Sequence, residues 1–147
     1  LTQEEDLIYR NRFDIDLISR RMAEATVWVA ESTRARALEL GYFGASTGSA
    51  AALKASVEVG VEIRAIVSRG GRPDLVMDVL PEVRSPTLFI VGENDAVVAD
   101  LNRQAFDALA GEKELRIVEG AGHLFEEPGK LDIVAGLASK WFRTYMG

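Results

Sequence analysis

Four short apolar runs, at residues 38–43, 63–68, 87–91 and 115–118, are separated by segments with helical spacing. This alternation limits the fold more than any other feature of the chain. Parallel strands that follow one another need long crossovers, and a helix is the usual one. The runs are continuous rather than alternating in polarity, as in strands covered on both faces. Helices are predicted at 13–31, 46–59 and 97–110, with a last one opened by Pro128 and a short one at 74–80. Ile15, Ile18, Met22, Ala25 and Val29 supply the apolar face of the first helix, and residues 1–12 read as an irregular polar lead-in. Trp28 and Trp141 are expected in the core. The order α-β-α-β-α-β-α-β-α predicts one three-layer α/β/α domain over residues 1–147, with a mostly parallel sheet of about four strands.

Gly44-Ala45-Ser46-Thr47-Gly48 falls between the first predicted strand and the helix after it. A G-x-S-x-G sequence in that context is a nucleophile elbow, a turn so sharp that the serine hydroxyl stands out at the carboxyl end of the sheet. Small residues are required on both sides, which Gly44 and Gly48 satisfy. Ser46 then lies at a helix N-terminus, where a developing anion is favoured, and the Thr47 N–H is the visible oxyanion-hole donor. The alternative is a glycine-rich turn in which Ser46 only caps the helix.

A serine hydroxyl needs a base. The chain has one histidine, His123, just after the fourth predicted strand and so at the same sheet edge. Its carboxylate partner should come from Gly92-Glu93-Asn94-Asp95, after the third strand. Asp95 is the choice and Glu93 the competitor, whereas Asp100 lies too far into the next helix. Asp95 alternatively caps that helix. The order Ser46, Asp95, His123 is the one expected of α/β-hydrolases. Arg69 and Arg72, in the loop after the second strand, are candidates to hold an acidic substrate group. A rigid turn with salt bridges to Asp74 or a nearby carboxylate is the plainer reading. Glu126 and Glu127 are expected to favour the start of the last helix through its dipole.

The remaining composition narrows the partners. There is no cysteine, hence no disulfide framework and no thiol nucleophile. The net charge is −6, and Arg34, Arg36, Arg69 and Arg72 are scattered, which speaks against nucleic acid or an anionic membrane surface. No apolar stretch approaches the roughly 20 residues of a membrane span. No signal peptide or phosphate-loop motif is visible, and no cofactor or metal is expected. These points predict a cytoplasmic protein with a small-molecule acyl substrate. The chain opens on Leu1 rather than Met, which predicts a processed form or a fragment.

Four separated blocks carry a resemblance that spans nearly the whole chain. They are Gly41 to Gly48, Ser68-Arg69-Gly70-Gly71-Arg72-Pro73-Asp74, Pro86 to Gly92, and Gly122-His123-Leu124-Phe125-Glu126-Glu127-Pro128-Gly129. Together with Arg12-Phe13-Asp14-Ile15 they resemble a bacterial group of dienelactone-hydrolase-like α/β-hydrolases, some members of which are fused to phosphoribosyltransferase domains. The resemblance implies Ser46 as nucleophile, Asp95 as acid and His123 as base in a serine esterase. Dienelactone hydrolases use a cysteine nucleophile, so the lactone substrate is not carried over. The group also has earlier strands, ending in an HG-type loop that supplies the second oxyanion donor. This chain begins after that region, so a truncated α/β-hydrolase fold is expected, with the elbow strand at an edge. That edge predicts a homodimer, or pairing with an N-terminal piece, and a weak esterase unless a partner completes the site. The competing expectation is an inactive remnant kept as an interaction or assembly module.

Overall fold

The computed structural model describes residues 1–32 and 38–147. Arg34 and Arg36 lie outside the described residues. Four parallel strands, β1 (Leu40–Ala45), β2 (Ile63–Arg69), β3 (Thr87–Gly92) and β4 (Lys113–Val118), form one sheet in the order β1-β2-β3-β4. Every strand therefore lies beside the next in sequence. Right-handed crossovers that keep stepping in one direction must all fall on one face. That face carries α2 (Ile15–Glu31), α3 (Thr47–Glu58) and α4 (Ala96–Ala108), around Tyr42, Leu53, Ile66, Leu80 and Phe89. The last helix, α5 (Lys130–Met146), crosses back and covers the other face over Ala65, Val67, Leu88 and Ile90. Trp141 on α5 is 7% exposed, and its indole N–H donates to the Pro86 carbonyl at 3.2 Å.

The structure corrects several expectations. β2 and β3 are buried almost throughout, but β1 and β4 are edges and only partly covered. Between β2 and β3 the expected short helix is two 3-10 turns, Pro73–Val76 and Leu80–Glu82. The lead-in is ordered: α1 (Gln3–Asp6) is closed by a capping box between Thr2 and Glu5, and a 3-10 turn spans Tyr9–Phe13. Arg21 of α2 ties this segment down through an ion pair with Glu5.

The inward line of α2 is rotated from the predicted one. Ser19 and Thr26 are its buried residues, with Ile15 and Met22 beside them, whereas Ala25 is exposed. The Thr26 hydroxyl is satisfied by the Met22 carbonyl at 2.8 Å and the Tyr42 hydroxyl at 2.7 Å, so burying it costs little. Trp28 sits about 200° round the helix from Thr26 at 3.6 residues per turn. It is 73% exposed rather than in the core.

Candidate active site

Three connections converge at the carboxyl end of the sheet: β1 to α3, β3 to α4, and β4 to α5. They carry Ser46, Asp95 and His123 in turn. Ser46 has φ 50° and ψ −126°, a conformation costing a non-glycine residue on the order of 1–3 kcal/mol unless its surroundings hold it. They do so on both sides. The Ser46 N–H donates to the Arg69 carbonyl at 3.2 Å. Its own carbonyl accepts from the Arg72 N–H at 3.1 Å, the Ser49 N–H at 3.1 Å and the Ser49 hydroxyl at 2.8 Å. Its side chain makes no capping bond to α3, so its position at the helix start does not make it a capping serine.

The two glycines of the elbow are unequal. A Cβ on Gly44 would lie 2.6 Å from the Gly48 carbonyl oxygen and 2.6 Å from the Ser49 Cα, so only glycine lets strand and helix meet. A Cβ on Gly48 would meet nothing within 4 Å, so the expected steric demand there is not found. Thr47 is the first residue of α3, where N–H groups lack partners within the helix.

Asp95 occupies the N-cap position of α4 but likewise makes no capping bond. Its Oδ2 instead lies 2.6 Å from Nδ1 of His123. The Asp95 side chain is 16% exposed and that of His123 40%, an arrangement with the carboxylate covered and the imidazole reachable. Glu93, the competing carboxylate, accepts the Gly120 N–H at 2.8 Å and so braces the histidine loop. The two loops are laced by backbone bonds, Glu93 N–H to the Val118 carbonyl and Asn94 N–H to the Ala121 carbonyl. Gly92 makes this approach possible, because a Cβ there would lie 2.4 Å from the Ala121 oxygen. Downstream, Phe125 is buried at φ 57°, a rare conformation for a bulky residue. Glu127 accepts the Gly122 N–H at 2.9 Å, so it holds the histidine loop, contrary to the expectation that it serves the last helix, while Glu126 is exposed.

The loop after β2 meets both Ser46 and His123. Gly70 has φ 49°, and a Cβ there would sit 3.4 Å from Cε1 and Nδ1 of the imidazole. Arg72 is committed to Asp74 through two hydrogen bonds of 2.8 Å, the plainer of the two readings. Arg69 has no carboxylate partner among the described residues, and residues 33–37 contain none. Its guanidinium lies 5.5 Å from the centre of the Phe125 ring and reaches the Leu124 carbonyl at 3.4 Å. Sequence reasoning missed Asn102, which is fully buried on α4 and donates to the Gly71 carbonyl at 2.9 Å. The spacing Val98, Asn102, Ala105, Leu109 placed it on the apolar face, which was the available signal. Among the described residues no helix is long and apolar enough to cross a membrane.

No family model matches the chain. A crystal structure of a dienelactone hydrolase from Anabaena variabilis is 50% identical, covers 100% of this chain and 70% of its own, and superposes with a TM-score of 0.96. Proteins named putative phosphoribosyl transferase in two strains of Mycobacterium tuberculosis are 51% identical over 146 residues. The chain spans 33% of their length. A predicted CIB-like hydrolase from Thermoplasma acidophilum shares the fold at a TM-score of 0.66 and 19% identity, over 89% of this chain and 62% of its own.

Proposed function

The chain belongs to the dienelactone-hydrolase-like α/β-hydrolases, and from that premise we propose that it is a serine hydrolase of carboxylic esters or related acyl compounds. Ser46 is the nucleophile, His123 the base and Asp95 the acid. The observation that carries the reading is the 2.6 Å contact between Asp95 Oδ2 and His123 Nδ1. With Nδ1 committed, Nε2 is the nitrogen that takes the Ser46 proton and later returns it to the leaving group. Asp95 fixes the tautomer and stabilises the imidazolium. The Thr47 N–H receives the oxyanion at the start of α3. A phosphoribosyl transferase activity finds no support in these residues. The glycine-rich turn at 44–48 is closed around a serine, and the name of the mycobacterial relatives belongs to chains about three times as long. The test is a fluorophosphonate probe with the adduct mapped by mass spectrometry. An adduct on Ser46 is expected, and none at any pH sinks the reading.

A second reading, an assembly module, draws on the sheet edge. Among the described residues β1 pairs only with β2, leaving its other side open, and Phe43 is 49% exposed. Such an edge is a template for another strand. In this reading two copies join edge to edge, and sedimentation equilibrium is expected to give twice the chain mass. A monomer at all concentrations, with slowly exchanging amides along β1, removes it.

A further inference from the structure

We propose that Asn102 is a positioning residue for the nucleophile, acting through the loop that follows β2. Asn102 lies two turns after Asp95 on the same helix, α4. Its Nδ2 donates to the Val98 carbonyl at 2.8 Å and across to the Gly71 carbonyl at 2.9 Å. Its Oδ1 is buried with no hydrogen-bond partner among the described residues. A leucine would fill the same space without the orphaned amide oxygen but would leave the Gly71 carbonyl without its donor, so what the amide supplies is the tie to that carbonyl. What it gains is a fixed Gly71.

Gly71 is wedged in place. A Cβ there would overlap the hydroxyls of Ser68 and Ser49, at 2.0 and 2.3 Å. The next N–H, that of Arg72, donates both to Ser49 Oγ at 3.0 Å and to the Ser46 carbonyl at 3.1 Å. On the other side of Gly71, the Arg69 carbonyl accepts the Ser46 N–H, and Gly70 packs on the His123 ring. Both peptide groups flanking the strained Ser46 are thus held by residues 69–72. Gly71 is the point at which a side chain of α4 grips that segment. Since α4 also presents Asp95, one helix sets the acid and, through Asn102, the nucleophile. Registration of this kind matters because a shift of about 1 Å at the reacting groups can cost about 100-fold in rate.

Asn102→Ser is the informative variant. A serine hydroxyl bonds back to the carbonyl four residues earlier, here Val98, but is too short to reach Gly71. With a short-chain p-nitrophenyl ester, kcat is expected to fall about 10- to 100-fold with KM within about 2-fold, and fluorophosphonate labelling to slow by the same factor. Amide exchange at Ser46 and Arg72 is expected to rise at least about 10-fold while β3 amides stay protected. Asn102→Leu, which keeps the core filled, is expected to behave alike. The kinetic arm rests on Ser46 being the nucleophile, and the exchange arm does not. If the wild type neither turns over esters nor labels, exchange alone decides. Unchanged exchange at Ser46 and Arg72 in both variants overturns the proposal. So does a loss of protection spread evenly over the sheet, or a fall in kcat that only follows a lower Tm.

Discussion

Replacing Ser46 with alanine is expected to lower kcat for a short acyl ester by on the order of 10⁴- to 10⁶-fold and to abolish probe labelling. The size of the loss follows from the chemistry. Without the hydroxyl there is no acyl-enzyme, and only binding and the Thr47 N–H remain to assist attack by water. The variant should fold as well as the wild type or better. Alanine at φ 50° suffers the same backbone strain, but the hydrogen bonds that hold this conformation come from the peptide groups and survive. Adding His123→Ala to Ser46→Ala should cost almost nothing further, because a base with no nucleophile has no proton to take. A double variant markedly slower than either single one, measured by kcat, would show that the two residues act independently and not as a relay.

Asp95→Asn is expected to cost on the order of 10³- to 10⁴-fold in kcat with little change in KM. An amide in place of the carboxylate can present its N–H to Nδ1. That stabilises the tautomer with the proton on Nε2, which cannot accept from serine, and removes the negative charge opposite the imidazolium. Glu93→Gln serves as the comparison. Glu93 accepts the Gly120 N–H rather than touching the ring, and a glutamine carbonyl can still accept that bond, so this variant should cost far less. If the two variants fell equally, the assignment of Asp95 as acid would be wrong.

Much of this architecture was legible from sequence, and for physical reasons. Buried strands covered on both faces must be apolar throughout, so β2 and β3 stand out as runs. The strand–turn–helix context of Gly44 to Gly48 located Ser46 for the same reason, since sharp turns need glycine. What escaped depends on side chains meeting across the fold. Asp95 could be preferred to Glu93 from sequence, but its contact with the ring and Glu93's bond to the Gly120 N–H depend on where the two loops lie in space. The face of α2 was misjudged because Ser19 and Thr26 look like surface residues until Tyr42 arrives as a partner for Thr26. Trp28 is expected in the core, but its angular position on the helix turns it away. Asn102 is polar, and only the spacing Val98, Asn102, Ala105, Leu109 places it on the buried face of α4.

Because each strand pairs with the one before it in the chain, the sheet can be laid down in the order in which the polypeptide is made. β1 and β2 can dock once α3 has formed, and β3 then adds to an edge already present. Ser46 is not set by these steps alone, because residues 69–72 hold its peptide groups and Asn102 of α4 holds Gly71. His123 follows β4, and its loop is pinned to the exit turn of β3. On the proposed reading, a chain cut before His123 would lack the base whatever the state of its elbow. On the same reading, reactivity at Ser46 would require the sheet to be complete through β4 and the turn that follows it.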